Sequence, residues 1–231
     1  ELHLMDTSYY AKDKNNIPIL SQDQIDNIAE MELKKFQKQA LTRPTAIDID
    51  GFLEMHLHVT PDYQYLSHNM VYLGMSVFYD TNAIPIYDEI AGRAEYLSVK
   101  ANTVIFDRRL VENKSQEHRY RFTGGHEAGH FVLHSSYYRR NRALGKSDNL
   151  FAKCHTSSLC GMKKGNLVTD NDWLEWQANQ FSSSLLMPKS AVLLLYRSIG
   201  DKKLLLQEMP KIFNVSNEAA RNRLKNLKII L

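Results

Sequence analysis

The sequence predicts an α+β fold: a small, mostly antiparallel sheet packed on one long helix, followed by a helical module at the C-terminal end. Three observations carry this reading. Four short β-rich segments, residues 75–79, 84–87, 94–99 and 103–106, follow one another between turn residues. An apolar run beyond them holds Gly125-His126-Glu127-Ala128-Gly129-His130, whose two histidines fall one helical turn apart. Residues 204–224 read as two helices around a short turn.

Taken in order, residues 1–20 are polar and irregular, and read as a mobile N-terminal arm. A helix is expected from Ser21 to about Leu41. Ser21 is its N-cap, Gln24 stands at the capping-box position, and Ile25, Ile28, Met31 and Leu33 supply apolar contacts. Pro44 ends it, and residues 47–53 open a second helix. The strands come next and lead into the motif helix. Leu174, Ala178, Phe181 and Leu185 recur at helical spacing, so a further amphipathic helix is expected there, stopped by Met187-Pro188.

On a helix, His126 and His130 lie about 6 Å apart along the axis, which lets both imidazoles reach one ion. Glu127 points to the adjacent face, where a carboxylate takes a proton from an activated water. The motif needs a third ligand. His134 continues the series but stands about 12 Å from His126 along the axis, too far for a shared ion, and reads as a neighbour that orients or packs. Leu133 and Ser136 occupy the places where a metzincin needs Gly and His. The better third ligand is Glu175 on the downstream helix, with Asn179 one turn on as a residue that orients a ligand by hydrogen bonding. Two histidines from one helix and a carboxylate from another leave a coordination position for water, as in a catalytic zinc site. The same donors also suit Mn²⁺ or Fe²⁺.

The string His126-Glu127-Ala128-Gly129-His130-Phe131-Val132-Leu133-His134, with Glu175-Trp176-Gln177-Ala178-Asn179-Gln180-Phe181 and Leu185-Leu186-Met187-Pro188, resembles the ImmA/IrrE metallopeptidases over roughly residues 70–190. The resemblance implies a zincin-like metallopeptidase domain with zinc on His126, His130 and Glu175 and Glu127 as general base. It implies cleavage of a helix-turn-helix transcriptional repressor as protein substrate. His134, Tyr137, Tyr138 and the insertion are the candidates for stabilising the oxyanion. An exposed sheet edge would let an extended peptide add as a strand beside the metal, although burying one face of the motif helix is the plainer role for these strands. The competing reading is a non-catalytic regulator that binds a repressor or DNA and keeps a structural or vestigial metal site. The intact Glu127 argues against it, because a structural site needs no base there.

One departure from the family pattern is the long spacing of about 44 residues between His130 and Glu175. Residues 139–172 read as an insertion loop, rich in Arg and Lys and interrupted by glycines. A solvated loop is the plain reading; a lid or substrate-binding loop joining the two metal-bearing helices is the sharper one. Within it Cys154, His155 and Cys160 lack zinc-knuckle spacing, and free, partly buried cysteines are preferred over a thiolate that reaches and blocks the metal.

Residues 197–231 carry a net charge of +5 against −2 for residues 1–196. Ser216 caps the second tail helix, and Asn217, Arg221 and Arg223 are the candidate DNA-facing side chains of a helix-turn-helix-like unit. A packing module is favoured over direct DNA binding, since one short basic helix makes few phosphate contacts. The division expected is an arm over 1–20, a metallopeptidase domain over 21–196 and a basic helical tail over 197–231. No run of about 18 uncharged apolar residues occurs, so no membrane span is expected. Glu1-Leu2-His3 does not begin a basic-then-apolar secretory signal, and two cysteines are too few for a disulfide framework, so a cytoplasmic location is expected.

Overall fold

A computed structural model describes residues 10–15, 17–144, 151–155 and 167–230. Helix α1 (Gln22–Phe36) begins with a reciprocal capping box, in which Ser21 Oγ accepts from the Gln24 N–H and the Gln24 side chain accepts from the Ser21 N–H. Ile25, Ile28 and Leu33 are buried, whereas Met31 faces outward at 43 % exposure. The helix ends short of Leu41, and Lys38–Leu41 form a separate 3-10 turn. A short α2 (Ile49–Gly51), capped by Asp48, runs on as a π-helical turn over Phe52–His56.

The strands are β1 (Thr60–Gln64), β2 (Tyr72–Val77), β3 (Thr81–Asp88), β4 (Arg93–Val99), β5 (Thr103–Asp107) and β6 (Phe151–His155). They divide into a four-stranded sheet in the order β1-β5-β2-β6 and a separate β3-β4 ribbon. β2 pairs antiparallel with both β5 and β6, and β1 runs parallel to β5. The single sheet expected from the sequence is therefore split in two, with β1 and β6 added. β1 escaped notice because Pro61 and Asp62 are poor strand formers; an edge position tolerates the proline.

After a short α3 (Arg109–Glu112) comes α4 (Glu117–Ala143), the long helix that bears the motif. It lies between β2 and α5 (Asp170–Leu186), and its residues from Thr123 to Ser135 are all buried. A Thr169–Asp172 capping box starts α5. Helices α6 (Lys189–Ile199), α7 (Lys202–Phe213) and α8 (Asn217–Asn226) complete the chain. The insertion thus begins as the last turn of α4 and includes β6; residues 145–150 and 156–166, among them Cys160, lie outside the described residues.

Among the described residues, both the N-terminal segment and the tail are anchored. Ile17 and Leu20, within the expected arm, are buried in the main core, and Lys12 bridges Pro18. In the tail Arg223 does not face outward, unlike the exposed Asn217 and Arg221. Its guanidinium is fully buried, donating to Asp26 Oδ1 at 2.7 Å and to the Met187 carbonyl at 2.9 Å; Ser184 Oγ donates to the same carboxylate oxygen. Arg121 of α4 likewise donates to the Ile47 and Asn214 carbonyls, tying the motif helix to the end of α7. The partners of Arg223 come from α1, α5 and the turn that follows α5, so the tail is stitched onto the rest of the fold.

Removing one partner of a buried ion pair strands the other charge. Asp26→Ala should lower unfolding stability by about 3–5 kcal/mol, read as a lower urea midpoint at unchanged slope. Asp26→Leu combined with Arg223→Met should recover most of the loss. A single variant as stable as the wild type would show that the pair holds nothing together.

Candidate metal centre

Helix α4 projects His126 and His130 toward α5, and α5 answers with Glu175. The close approach of the two helices depends on small residues. A Cβ placed on Gly129 would stand 3.0 Å from the Ala178 Cα and 3.2 Å from its carbonyl, so any side chain there pushes the helix backbones apart. The three donors converge as a result. His126 Nε2 lies 3.0 Å from His130 Nε2, and the two Glu175 oxygens lie 3.4 Å and 3.3 Å from these nitrogens.

These separations meet a simple test. Donors about 2.0–2.1 Å from one ion in tetrahedral directions stand roughly 3.3 Å apart. The observed spacing fits, and Glu175 Oε2 is buried with no hydrogen-bond partner, as expected of an oxygen intended for a metal. All three residues are at most 3 % exposed. Burial raises the Glu175 carboxyl, but the two imidazoles overcome it and hold this group well below the usual carboxylate range. Burial lowers His126, yet Cys154 and Glu175 outweigh that and raise it well above its usual range. The local field favours positive charge at this point.

The hydrogen-bond network determines which imidazole nitrogens carry lone pairs toward the ion. Asn179 Oδ1 accepts from His126 Nδ1–H at 2.9 Å, leaving Nε2 bare. For His130 the argument runs from the far end of a relay. The Pro18 carbonyl can only accept, so Gln177 Nε2 donates to it at 2.6 Å and Gln177 Oε1 faces His134. His134 Nε2–H donates to that oxygen at 3.2 Å, so its Nδ1 accepts from His130 Nδ1–H at 3.1 Å. His130 Nε2 is left bare for the metal. Burial lowers His134 well below its usual range, in keeping with the neutral form the relay requires.

Both nitrogens of His134 are thus engaged, one with His130 and one with Gln177. Tyr137 is hydrogen-bonded to Asn141, and the Tyr138 ring stacks on Phe78 with centroids 4.1 Å apart. Tyr137 is thus engaged through a hydrogen bond and Tyr138 through a ring stack.

Glu127 points the other way, toward β2. Ser76 Oγ donates to its Oε2 at 2.5 Å, while Oε1 is buried without a partner. Gly74 makes the space: a Cβ there would collide with Glu127 Oε1. Burial pushes the Glu127 carboxyl up to about 7, with His126 and the Ser76 hydroxyl restraining the rise. A carboxylate poised there suits a base working near neutral pH. Cys154, on β6 opposite Gly74, lies with His126 and Glu127 in a second group whose ligand atoms are within 4.8 Å of one another. Burial pushes its thiol up to about 11. Sequence reasoning missed Gly74, Ser76, Gln177 and Pro18. Only Gln177 left a trace, as a polar residue beside the Glu175 stripe.

Residues 94–225, more than half of the chain, match the IrrE N-terminal-like domain, a peptidase family. The chain belongs to this family. An IrrE N-terminal-like domain carries a metallopeptidase type of function, and in this chain the matched region contains all three donors, the relay histidine and Glu127. Among individually curated proteins, none matches the chain. Among the described residues no helix is long and apolar enough to cross a membrane.

If the relay orients His130, Gln177→Leu should weaken metal binding about 10–100-fold, measured by competition with a chromophoric chelator. Affinity equal to the wild type would remove Gln177 and His134 from the account of the site.

Proposed function

We propose that the protein is a zinc-dependent endopeptidase with a zincin-like active site, in which His126, His130 and Glu175 hold the ion and Glu127 is the general base. The convergence of three buried donors beside a separate carboxylate with one unpartnered oxygen carries this reading. The ion, when bound, supplies Lewis acidity that acidifies a water and polarises the scissile carbonyl. The protein does the rest. Asn179 and the His134–Gln177–Pro18 relay present the imidazole lone pairs. Ser76 holds one oxygen of Glu127, so the free Oε1 accepts the proton of the attacking water and passes it to the leaving amine. The buried surroundings strengthen each of these interactions by excluding bulk water.

The proposed substrate is a helix-turn-helix repressor, met in the cytoplasm, and its cleavage would relieve repression. This substrate class rests on the resemblance of the His126–His134 and Glu175–Pro188 strings to the ImmA/IrrE metallopeptidases. Docking of Arg223 into the body favours a packing role for the tail, whose α7–α8 pair we read as a helix-turn-helix-like unit, over direct DNA contact.

Glu127→Gln should keep its metal but lose about 10²–10⁴-fold in cleavage rate, measured on a helix-turn-helix repressor encoded beside this gene, with metal content determined in parallel. Full activity in that variant would sink the base assignment. Tight repressor binding by the metal-loaded wild type, with no bond cut, would favour a sequestering regulator instead.

A further inference from the structure

Helices α4 and α5 run antiparallel. A Cβ on Gly125 would stand 3.1 Å from the Ser182 Cα, as one on Gly129 would stand 3.0 Å from the Ala178 Cα. Carried one turn further along each helix, that register sets Arg121 level with Leu186, where α5 ends. His126 lies on this side of the Gly129–Ala178 contact, and Glu175 lies beyond it. The contact is therefore a fulcrum. Opening the helix pair at the Arg121 end tilts α4 on α5 and changes the separation of His126 from Glu175. A site of this kind tolerates errors of only about 0.5 Å.

The tail bridges the two helices at that end. On the α4 side, Arg121 Nε donates to the Asn214 carbonyl at 3.0 Å, Asn214 Nδ2 donates to Glu117 Oε1 at 2.6 Å, and His118 Nε2–H donates to Asn214 Oδ1 at 3.1 Å. Asn214 stands in the turn between α7 and α8, in a left-handed conformation with φ 52°. On the α5 side, Arg223 donates from α8 to the carbonyl of Met187, the C-cap residue, and to Ser184 Oγ at 3.3 Å. Asn226 Nδ2 adds an exposed bond to Gln180 Oε1 at 3.0 Å. Arg223 is fully buried and Arg121 is 9 % exposed, so water competes little for the two guanidinium groups. We propose that the α7–α8 tail is a staple across this end of the α4–α5 pair, and that Arg121 and Arg223 are positioning residues that hold the spacing of the metal donors. Metal binding and tail docking are then coupled, each strengthening the other by the same factor. This inference rests on the three-donor site proposed above and adds its control from a distance.

Asp26→Leu combined with Arg223→Met keeps the packing of α8 on α1 and removes the buried guanidinium from the end of α5. In the 231-residue chain, zinc affinity of this double variant, read by competition with a chromophoric chelator, should fall about tenfold at a urea midpoint close to the wild-type value. A merely structural role would restore both together. The second measurement needs no substitution. Amide exchange in α8 of the wild type, through openings smaller than global unfolding, should slow about tenfold when zinc is added. Wild-type zinc affinity in the double variant, or exchange in α8 that is indifferent to zinc, would overturn the staple and leave the three-donor site standing. Undiminished zinc binding by His126→Ala, or no zinc binding by the wild type, would overturn the three-donor site and this inference with it.

Discussion

Burial of the donor cluster is the constraint that the rest of the structure answers to. A carboxylate taken from water loses several kcal/mol of hydration, which at Glu175 the imidazoles of His126 and His130 must offset. Glu175 Oε2 and Glu127 Oε1 are left without hydrogen-bond partners, and both residues are almost wholly enclosed. A divalent cation between His126, His130 and Glu175 would supply what Glu175 lacks, and under the proposed function a water would supply what Glu127 lacks. Every neighbour then has an orienting duty. Asn179 and His134 fix two tautomers, Gln177 fixes His134, and Ser76 fixes Glu127.

That duty reaches far along the chain. The relay closes on the Pro18 carbonyl, which must be held still for the amide of Gln177 to be fixed. Burial of Ile17 and Leu20 does this, so the segment read as a mobile arm is in part a structural wall of the metal site. On the opposite side, packing of Gly129 against Ala178 sets the spacing of α4 and α5, and hence the reach of Glu175. Core packing and donor geometry are one problem here, because a gain in side-chain volume at the helix interface becomes an error in ligand position.

What could be read from the sequence was local. The His126–His130 spacing and the Glu175–Asn179 pair are helical periodicities, and so was the Ser21–Gln24 capping box. The features left unread depend on approach between distant segments. Gln177 meets Pro18 across 159 positions, and Arg223 meets Asp26 across 197. No pattern within α8 says that one of its arginines will be buried by a carboxylate on α1. Likewise β6 is a strand through its pairing with β2, not through its own composition; Ala152, Lys153 and Cys154 have little intrinsic preference for a strand. The family match covers the site but carries no information on such tertiary partners.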